Sequence, residues 1–297
     1  MIYDIKLAIT YDYANAAVAG RHLARVMPLE IVGAQRLIAG LLTITPRPEE
    51  RLDGRDFFGN GTVEFTFRAP HDHLALTMQA RVERRPRANG PDLSALLTTL
   101  AADLDACRDM GGDSPMHALA PSFRVPLTAP TTTFARHALR PGMTTLQAVQ
   151  AIGQALHTHM TFDAKATTVD TPLAEAFAAR KGVCQDFSHI LIAALRGVGI
   201  PAGYVSGFLR TIPPAGKPRL EGADAMHAWV RAWCGAGVGW VDYDPTNDCL
   251  AGEDHIVVAR GRDYSDVAPI KGIMRISGRQ RTDQAVDVIP LTDALTN

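Results

Sequence analysis

The chain has 297 residues, of which 46% are hydrophobic and 21% are charged, an ordinary composition for a soluble protein that buries substantial cores. Its 30 lysines and arginines against 31 aspartates and glutamates leave a net charge of −1, so nothing favours nucleic acid or an anionic membrane as a partner. The length suits two domains, or one large domain with an appended module.

The start of the chain, Met-Ile-Tyr-Asp-Ile-Lys, is not a basic segment that leads into an apolar one. No apolar run reaches the roughly 18 residues that are needed to cross a bilayer. The four cysteines, at positions 107, 184, 234 and 249, are too scattered for a disulfide framework or a Cys-x-x-Cys zinc site. We therefore expect a cytoplasmic protein with no membrane partner, and we leave its oligomeric state open.

Alternating apolar residues predict short strands in the first part of the chain. They are Tyr3, Ile5, Leu7 and Ile9, then Val63, Phe65 and Phe67, then Leu74, Leu76, Met78, Ala80 and Val82. Proline and glycine turns near positions 46 and 59 separate these strands. The pattern predicts an antiparallel β-sandwich over residues 1–88, which ends in the polar, proline-containing stretch that begins at Arg84.

Residues 89–140 are predicted to form a helical and irregular connection. Its helical part is a stripe of apolar residues that runs from Leu93 to Cys107. Residues 141–297 are predicted to form the second domain, with a helix capped by Thr144 or Thr145 and with closing strands near 256–258 and 285–288.

Beyond residue 174 the pattern predicts two helices followed by three strands. The first helix covers 174–180 and is broken by Lys181-Gly182; the second runs from about Cys184 to Arg196. The predicted strands are 202–209, 225–233 and 239–244. Cys184 therefore begins a helix, whereas a histidine and two aspartates lie on strands.

Cys184 lies where a thiol becomes reactive. Unpaired N–H groups and the positive end of the helix dipole stabilise an anion at a helix start. Gly182, just before it, leaves room for a substrate to approach the sulfur. The backbone N–H of Cys184 is also a natural donor to an oxyanion. The alternative is a small core cysteine, because Phe187 follows three residues later on the apolar face of the helix.

His227 lies on a strand, where it shares a face with Trp229 and Arg231. Imidazole is the side chain best suited to take a thiol proton and later protonate a leaving amine. A lone strand histidine is more often a core residue. The order of thiol, imidazole and carboxylate along the chain favours the catalytic interpretation.

Asp242 and Asp244 compete for the task of orienting the imidazole, since both lie on one face of their strand. If the glycine-rich turn is centred between Gly235 and Gly237, the residue opposite His227 falls between positions 243 and 247. This register favours Asp244, because cross-strand neighbours are about 5 Å apart. A rival zinc site built from Cys184, His227 and His255 is disfavoured, because its spacing is unusual and a helix start repels a cation.

Three blocks of sequence resemble the signature blocks of the transglutaminase-like superfamily, and they are most similar to its bacterial cysteine-protease branch. The blocks are Gly182-Val-Cys-Gln-Asp-Phe, His227-Ala-Trp-Val and Trp240-Val-Asp-Tyr-Asp-Pro-Thr-Asn. The first 88 residues are similar to the β module that precedes the catalytic domain in this branch, so the resemblance implies that residues 141–297 are the catalytic domain. The resemblance implies an α+β fold in which a helix bearing Cys184 packs on an antiparallel sheet bearing His227 and Asp244, as in papain.

The resemblance also implies the reaction. It predicts a Cys184–His227–Asp244 triad that hydrolyses an amide bond of a peptide or protein, with no cofactor and no metal. Two alternatives stay open: transfer of the acyl group from glutamine to an amine, and a catalytically silent binding module. The residues predicted to line the site are Gln185, Met226, Trp229, Asp242 and Tyr243.

Overall fold

A computed structural model describes residues 1–85, 90–211, 222 and 224–291. The N-terminal module consists of five strands. They are β1 (Ile2–Ala24), β2 (Gln35–Thr45), β3 (Glu50–Arg55), β4 (Gly61–Phe67) and β5 (His71–Arg84).

In the described residues, the helices come after this module in the chain. They are α1 (Leu100–Ala106), a 3-10 turn (Pro115–Ala118), α2 (Ala129–Ala138), α3 (Thr145–His159), α4 (Leu173–Ala179) and α5 (Cys184–Gly197). Two short parallel strands, β6 (Thr161–Phe162) and β7 (Lys181–Gly182), flank α4. The remaining elements are β8 (Ala202–Leu209), β9 (Ala225–Trp233), β10 (Trp240–Asp244), β11 (Cys249–Leu250), β12 (His255–Gly261), α6 (Tyr264–Val267), β13 (Ile270–Arg275) and β14 (Gln280–Leu291).

Strand β1 is 23 residues long and organises the N-terminal sheet. Its pairing with β5 is interrupted between Asp12 and Ala17. Before this irregularity β1 pairs with β5 and β14, and after it β1 pairs with β4 and β13. The bulge therefore lets one strand serve two sets of neighbours, and the buried residues of both sets belong to one hydrophobic cluster.

The predicted closing strands differ from expectation in their partners. Strand β12 lies beside β8 in the five-stranded sheet of the predicted catalytic domain, which we call the catalytic sheet. In contrast, β13 and β14 both pair with β1. An alternating pattern tells which face of a strand is buried but not which strand lies next to it. The predicted boundary between residues 88 and 89 falls within 86–89, outside the described residues, as do positions 292–297 at the end of the predicted catalytic domain.

The predicted helical stripe from Leu93 to Cys107 is wrong in its first half. Helix α1 begins only at Leu100, and Leu93 and Leu96 are exposed. The backbone N–H of Ala95 donates to Cys234 and that of Leu97 donates to Met143. These tertiary hydrogen bonds engage the backbone N–H groups that a longer helix would have used for its own hydrogen bonds.

The catalytic sheet is antiparallel, with strand order β11-β10-β9-β8-β12. Helix α5 packs on β8 and β9 and is itself surrounded by α2, α3 and α4. Nearly every residue of α5 is buried, which explains why its sequence is apolar on more than one face. The predicted α+β class, with a β module before a papain-like core, is confirmed by this architecture.

The N-terminal module docks on the catalytic sheet through Gln35. Its side-chain amide donates to the carbonyl of Val257 at 2.7 Å and accepts from the N–H of Val257 at 2.9 Å. Because this buried amide bonds both the C=O and the N–H of Val257, it holds the N-terminal module at one position on the catalytic sheet. No helix in the described part of the chain is long and apolar enough to cross a membrane.

Candidate active site

Cys184 is the first residue of α5, as the sequence predicted. The Asp186 carboxylate accepts the N–H of Val183 at 2.8 Å and the hydroxyl of Thr167 at 2.6 Å, which anchors the turn that leads into the helix. A Cβ on Gly182 would lie 2.5 Å from Oδ2 of Asp186. Gly182 is therefore required by the packing of Asp186, and this requirement is separate from the substrate access that the sequence suggested.

The thiol of Cys184 lies close enough to the ring of His227 to be one of the groups that raise the pKa of the imidazole. On the other side of that ring, Nε2 lies 2.7 Å from Oδ2 of Asp244. Because Nε2 is engaged by the carboxylate, Nδ1 is the ring nitrogen left for the sulfur. The three side chains thus follow one another in the order thiol, imidazole and carboxylate between the start of α5 and the end of β10, with a direct hydrogen bond between the last two.

Asp244 is fully buried at the end of β10, and both of its oxygens are saturated. Oδ1 accepts the backbone N–H groups of Thr246 and Asn247 at 2.9 and 3.2 Å. Oδ2 lies 2.7 Å from the side-chain amide of Asn247, in addition to its contact with His227, and 3.1 Å from Nε2 of His255. Five contacts from neighbouring groups fix the orientation of this carboxylate.

The opposite charges of His227 and Asp244 stabilise each other. Burial by itself lowers the pKa of His227, but the hydrogen bond to Asp244 and the neighbouring Cys184 outweigh burial and raise the pKa to about 10. Burial by itself raises the pKa of Asp244, yet His227 and His255 hold it well below its usual range. At neutral pH the site therefore contains an imidazolium and a carboxylate.

The register explains the choice between the two aspartates. Asp242 pairs with Arg231, so continuation of the ladder would put Asp244 opposite Trp229 and diagonal to His227 on the same face. The Asp242 carboxylate instead accepts the indole N–H of Trp229 at 3.0 Å. Asp242 therefore orients a tryptophan, and of the two aspartates it is Asp244 that contacts the imidazole.

His255 was missed as a partner of Asp244. Its Nδ1 accepts the N–H of Gly252 at 3.2 Å, which leaves the ring proton on Nε2 for donation to Asp244. The sequence raised His255 only as a zinc ligand. It lies on β12, three strands away from β10 in the sheet order, so no local spacing could relate it to Asp244.

The rival zinc interpretation fits this geometry poorly. Ligand atoms of His227, Asp244 and His255 lie within 4.8 Å of one another, but the thiol of Cys184 is engaged by the opposite side of the His227 ring. The 2.7 Å separation between His227 and Asp244 is a charge-assisted hydrogen bond. Two ligands at about 2.0–2.1 Å from a tetrahedral metal would be farther apart than this.

The residues predicted to line the site have different roles. Trp229 is fully buried, with its ring 6.2 Å from that of His227. Gln185 donates to the carbonyl of Val169 at 3.1 Å, and Met226 is half-buried against the main core. Tyr243 alternates to the opposite face from Asp244, so its prediction as a lining residue is not supported by its position.

Tyr243 belongs to the packing beneath the sheet. Its ring fills the space over Gly153 of α3, where a Cβ would lie 2.1 Å from the ring. Its hydroxyl donates to Asp248, and burial followed by this carboxylate raises its pKa far above the usual range. Tyr243 thus packs β10 onto α3.

Two groups near the thiol are suited to bind an oxyanion. The backbone N–H of Cys184 has no acceptor among the described residues. Burial first, and the neighbouring Cys184 second, raise the pKa of Tyr204 well above its usual value, which keeps that hydroxyl protonated. The sequence indicated the first of these donors and gave no signal for Tyr204, which comes from β8.

Comparison with known families identifies two matching regions. Residues 132–245 match the model of the transglutaminase-like superfamily, and residues 3–83 match the bacterial transglutaminase-like N-terminal region. The first match contains Cys184, His227 and Asp244. The second coincides with the β module.

Relatives extend over most of the chain. An uncharacterized protein of Mycobacterium tuberculosis is 37% identical over 273 residues, which is 88% of this chain and 84% of that protein. An uncharacterized protein of Mycobacterium leprae is 32% identical over 281 residues and covers 94% of both chains. The crystal structure of a "Putative Cysteine Protease" from Cytophaga hutchinsonii has the same fold, with a TM-score of 0.77, 20% identity and coverage of 100% of this chain and 92% of that one.

Proposed function

Because the chain belongs to the transglutaminase-like superfamily, we propose that it is a cysteine-based enzyme acting on amide bonds, and that its reaction is hydrolysis of a peptide or isopeptide. The observation that carries the proposal is the 2.7 Å hydrogen bond between His227 and Asp244, with the Cys184 thiol beside the same imidazole. The order and contacts of these groups match those of a nucleophile, a proton carrier and an orienting acid.

The proposed reaction has two halves. In the first, the Cys184 thiolate attacks the amide carbonyl, and the oxyanion accepts hydrogen bonds from the Cys184 N–H and the Tyr204 hydroxyl. Protonated His227 then gives its proton to the departing amine, which leaves a thioester. In the second half, neutral His227 takes a proton from water, the resulting hydroxide attacks the thioester, and a carboxylic acid leaves as the thiolate re-forms beside the imidazolium.

The aromatic side chains argue for water as the acceptor. Transfer to an amine requires a channel that excludes water, and Trp229, Trp240 and Tyr243 are the candidates for its walls. Trp229 is engaged with Asp242, Trp240 donates its indole N–H to the carbonyl of Asp113, and Tyr243 faces α3. Each therefore has a packing partner away from Cys184, which supports hydrolysis over transamidation.

Selective alkylation tests the proposed triad without knowledge of the substrate. We expect iodoacetamide at neutral pH to label Cys184 stoichiometrically, and we expect His227→Ala to remove this labelling. Cys107 and Cys249 are partly exposed free thiols, so the labelled site is identified by peptide mapping and by the Cys184→Ala variant. Equal labelling of wild type and His227→Ala at Cys184 would refute the proposal.

A second experiment tests whether water or an amine accepts the acyl group. The protein is incubated with glutamine-containing and lysine-linked peptides in the presence of a labelled primary amine. Hydrolysis predicts release of ammonia or of the free peptide without incorporation of the amine. Incorporation of the amine would establish transamidation, and no turnover together with an unreactive Cys184 would establish a silent binding module.

A further inference from the structure

A cavity of about 700 Å³ lies between the N-terminal module and the catalytic sheet, away from Cys184. Its walls come from the 31–34 segment, the end of β5, and strands β9, β10 and β12. Its charged lining consists of four arginines and two aspartates: Arg84, Arg85, Arg231, Arg260, Asp113 and Asp242.

The positive charge of this cavity is only partly compensated. Arg231 pairs with Asp113 at 2.7 Å and Arg85 with Glu83 at 3.1 Å, whereas Asp242 accepts the indole N–H of Trp229. Arg84 donates to the carbonyls of His255 and Ala34, which carry no net charge. The guanidinium of Arg260 has no carboxylate partner among the described residues.

Two buried guanidinium N–H groups face no acceptor. The Nε atoms of Arg231 and Arg260 are buried and have no hydrogen-bond partner within the described part of the chain. The Arg231 side chain is only 6% exposed, and its guanidinium is stacked 4.0 Å from the centre of the Trp240 ring. A buried donor without an acceptor is costly, and a donor held rigidly in place is prepared for a ligand.

The arginines also repel one another. Burial first, and Arg260 second, lower the pKa of Arg231 to about 10. Burial lowers the pKa of Arg84; Asp242 opposes this effect, and Arg260 adds to it. The fold thus confines like charges in a space that is large enough for a small molecule.

We propose that this cavity is a binding site for a small anion with two or more negative charges, a polycarboxylate or a phosphate-bearing molecule. Its oxygens accept the free Nε–H groups of Arg231 and Arg260 and neutralise Arg84. Guanidinium groups bind carboxylate and phosphate oxygens through the same forked pair of hydrogen bonds. A polycarboxylate and a phosphate-bearing molecule would therefore be recognised in the same way. The ligand touches residues of both the β module and the catalytic sheet and therefore joins them.

The test uses calorimetric titration of the full chain with citrate, with inorganic phosphate and with pyrophosphate, each at an ionic strength matched with sodium chloride. We expect saturable binding of at least one probe, and the preferred probe distinguishes polycarboxylates from phosphates. Arg260→Gln should raise the dissociation constant about tenfold or more, since a charge-assisted hydrogen bond is lost. Arg281→Gln removes the same charge from an exposed strand and should leave the constant unchanged.

A thermal melt without added anion separates a binding arginine from a structural one. Arg260→Gln relieves repulsion on Arg231 and Arg84, so its unfolding midpoint should equal or exceed that of wild type, and the rise in midpoint on adding the anion should disappear. Arg260→Lys keeps the charge and should keep part of that rise. Absence of saturable binding by all three probes, or equal binding by wild type and Arg260→Gln, would overturn the proposal.

Discussion

Nε2 of His255 lies 3.1 Å from Oδ2 of Asp244, the same oxygen that contacts the imidazole of His227. Because Gly252 donates to the opposite ring nitrogen, His255 is locked in the tautomer that donates to Asp244. The carboxylate is thus held between two imidazoles. His255 does not touch the sulfur, and we regard it as a positioning residue for Asp244.

Replacement of His255 tests this positioning role. His255→Phe removes the donor and should slow alkylation of Cys184 roughly tenfold. The buried carboxylate of Asp244 then loses a hydrogen bond worth about 1–3 kcal/mol. His255→Gln keeps an N–H donor at a similar reach and should recover most of the rate. Alkylation kinetics as a function of pH provide the measurement; equal loss in both variants would indicate a packing role only.

The two aspartates of β10 provide a matched pair of variants. Asp244→Asn should lower the alkylation rate of Cys184 at neutral pH by about tenfold or more, since the imidazolium loses its counter-charge. Asp242→Asn still accepts from the Trp229 indole through its amide oxygen and should change the rate little. A larger effect at position 242 than at position 244 would contradict the register argument.

The raised pKa of His227 predicts a pH dependence of stability. Its folded pKa of about 10 lies above the ordinary histidine pKa of about 6.5, so protonation favours the folded state. This stabilisation is complete below about pH 6.5 and is lost as the pH rises toward about 10, with an amplitude of a few kcal/mol. Urea unfolding between pH 6 and pH 10 measures the decline. His227→Gln should flatten it, and an unchanged slope in that variant would contradict the assignment.

Gly153→Ala tests how closely α3 approaches β10. Alanine in the middle of a helix is normally more stable than glycine by roughly 1 kcal/mol. Here the new Cβ would lie 2.1 Å from the Tyr243 ring, so we expect a net loss of about 1–3 kcal/mol in the free energy of unfolding. Gly252→Ala, where no atom lies within 4 Å of the added Cβ, is the control. A stabilised Gly153→Ala protein would show that the ring can move aside.

Local patterns predicted the parts of the molecule that local forces determine. The bounds of β8 and β9, the Thr144 cap of α3 and the start of α5 at Cys184 follow from alternation, helix capping and a glycine break. The choice of Asp244 over Asp242 also followed, because the turn between β9 and β10 is short enough to fix the register.

The remaining features depend on contacts between distant parts of the chain. His255 reaches Asp244 from β12 through a strand order that spacing cannot specify, and Tyr204 comes from β8. Helix α1 is shortened by hydrogen bonds to Cys234 and Met143. Tyr243 was predicted at the site because of its neighbours in sequence, although alternation along β10 turns it away.

Strand β14 pairs with β1 over its whole length, from Ile2 opposite Leu291 to Tyr13 opposite Gln280. During translation, the opening strand must therefore wait with an unsatisfied edge until the entire catalytic sheet has left the ribosome. Loop-closure entropy makes such a distant pairing slow, and an open edge invites association with other chains. The enzyme's β module is thus the last part to be completed, although it is the first to be made.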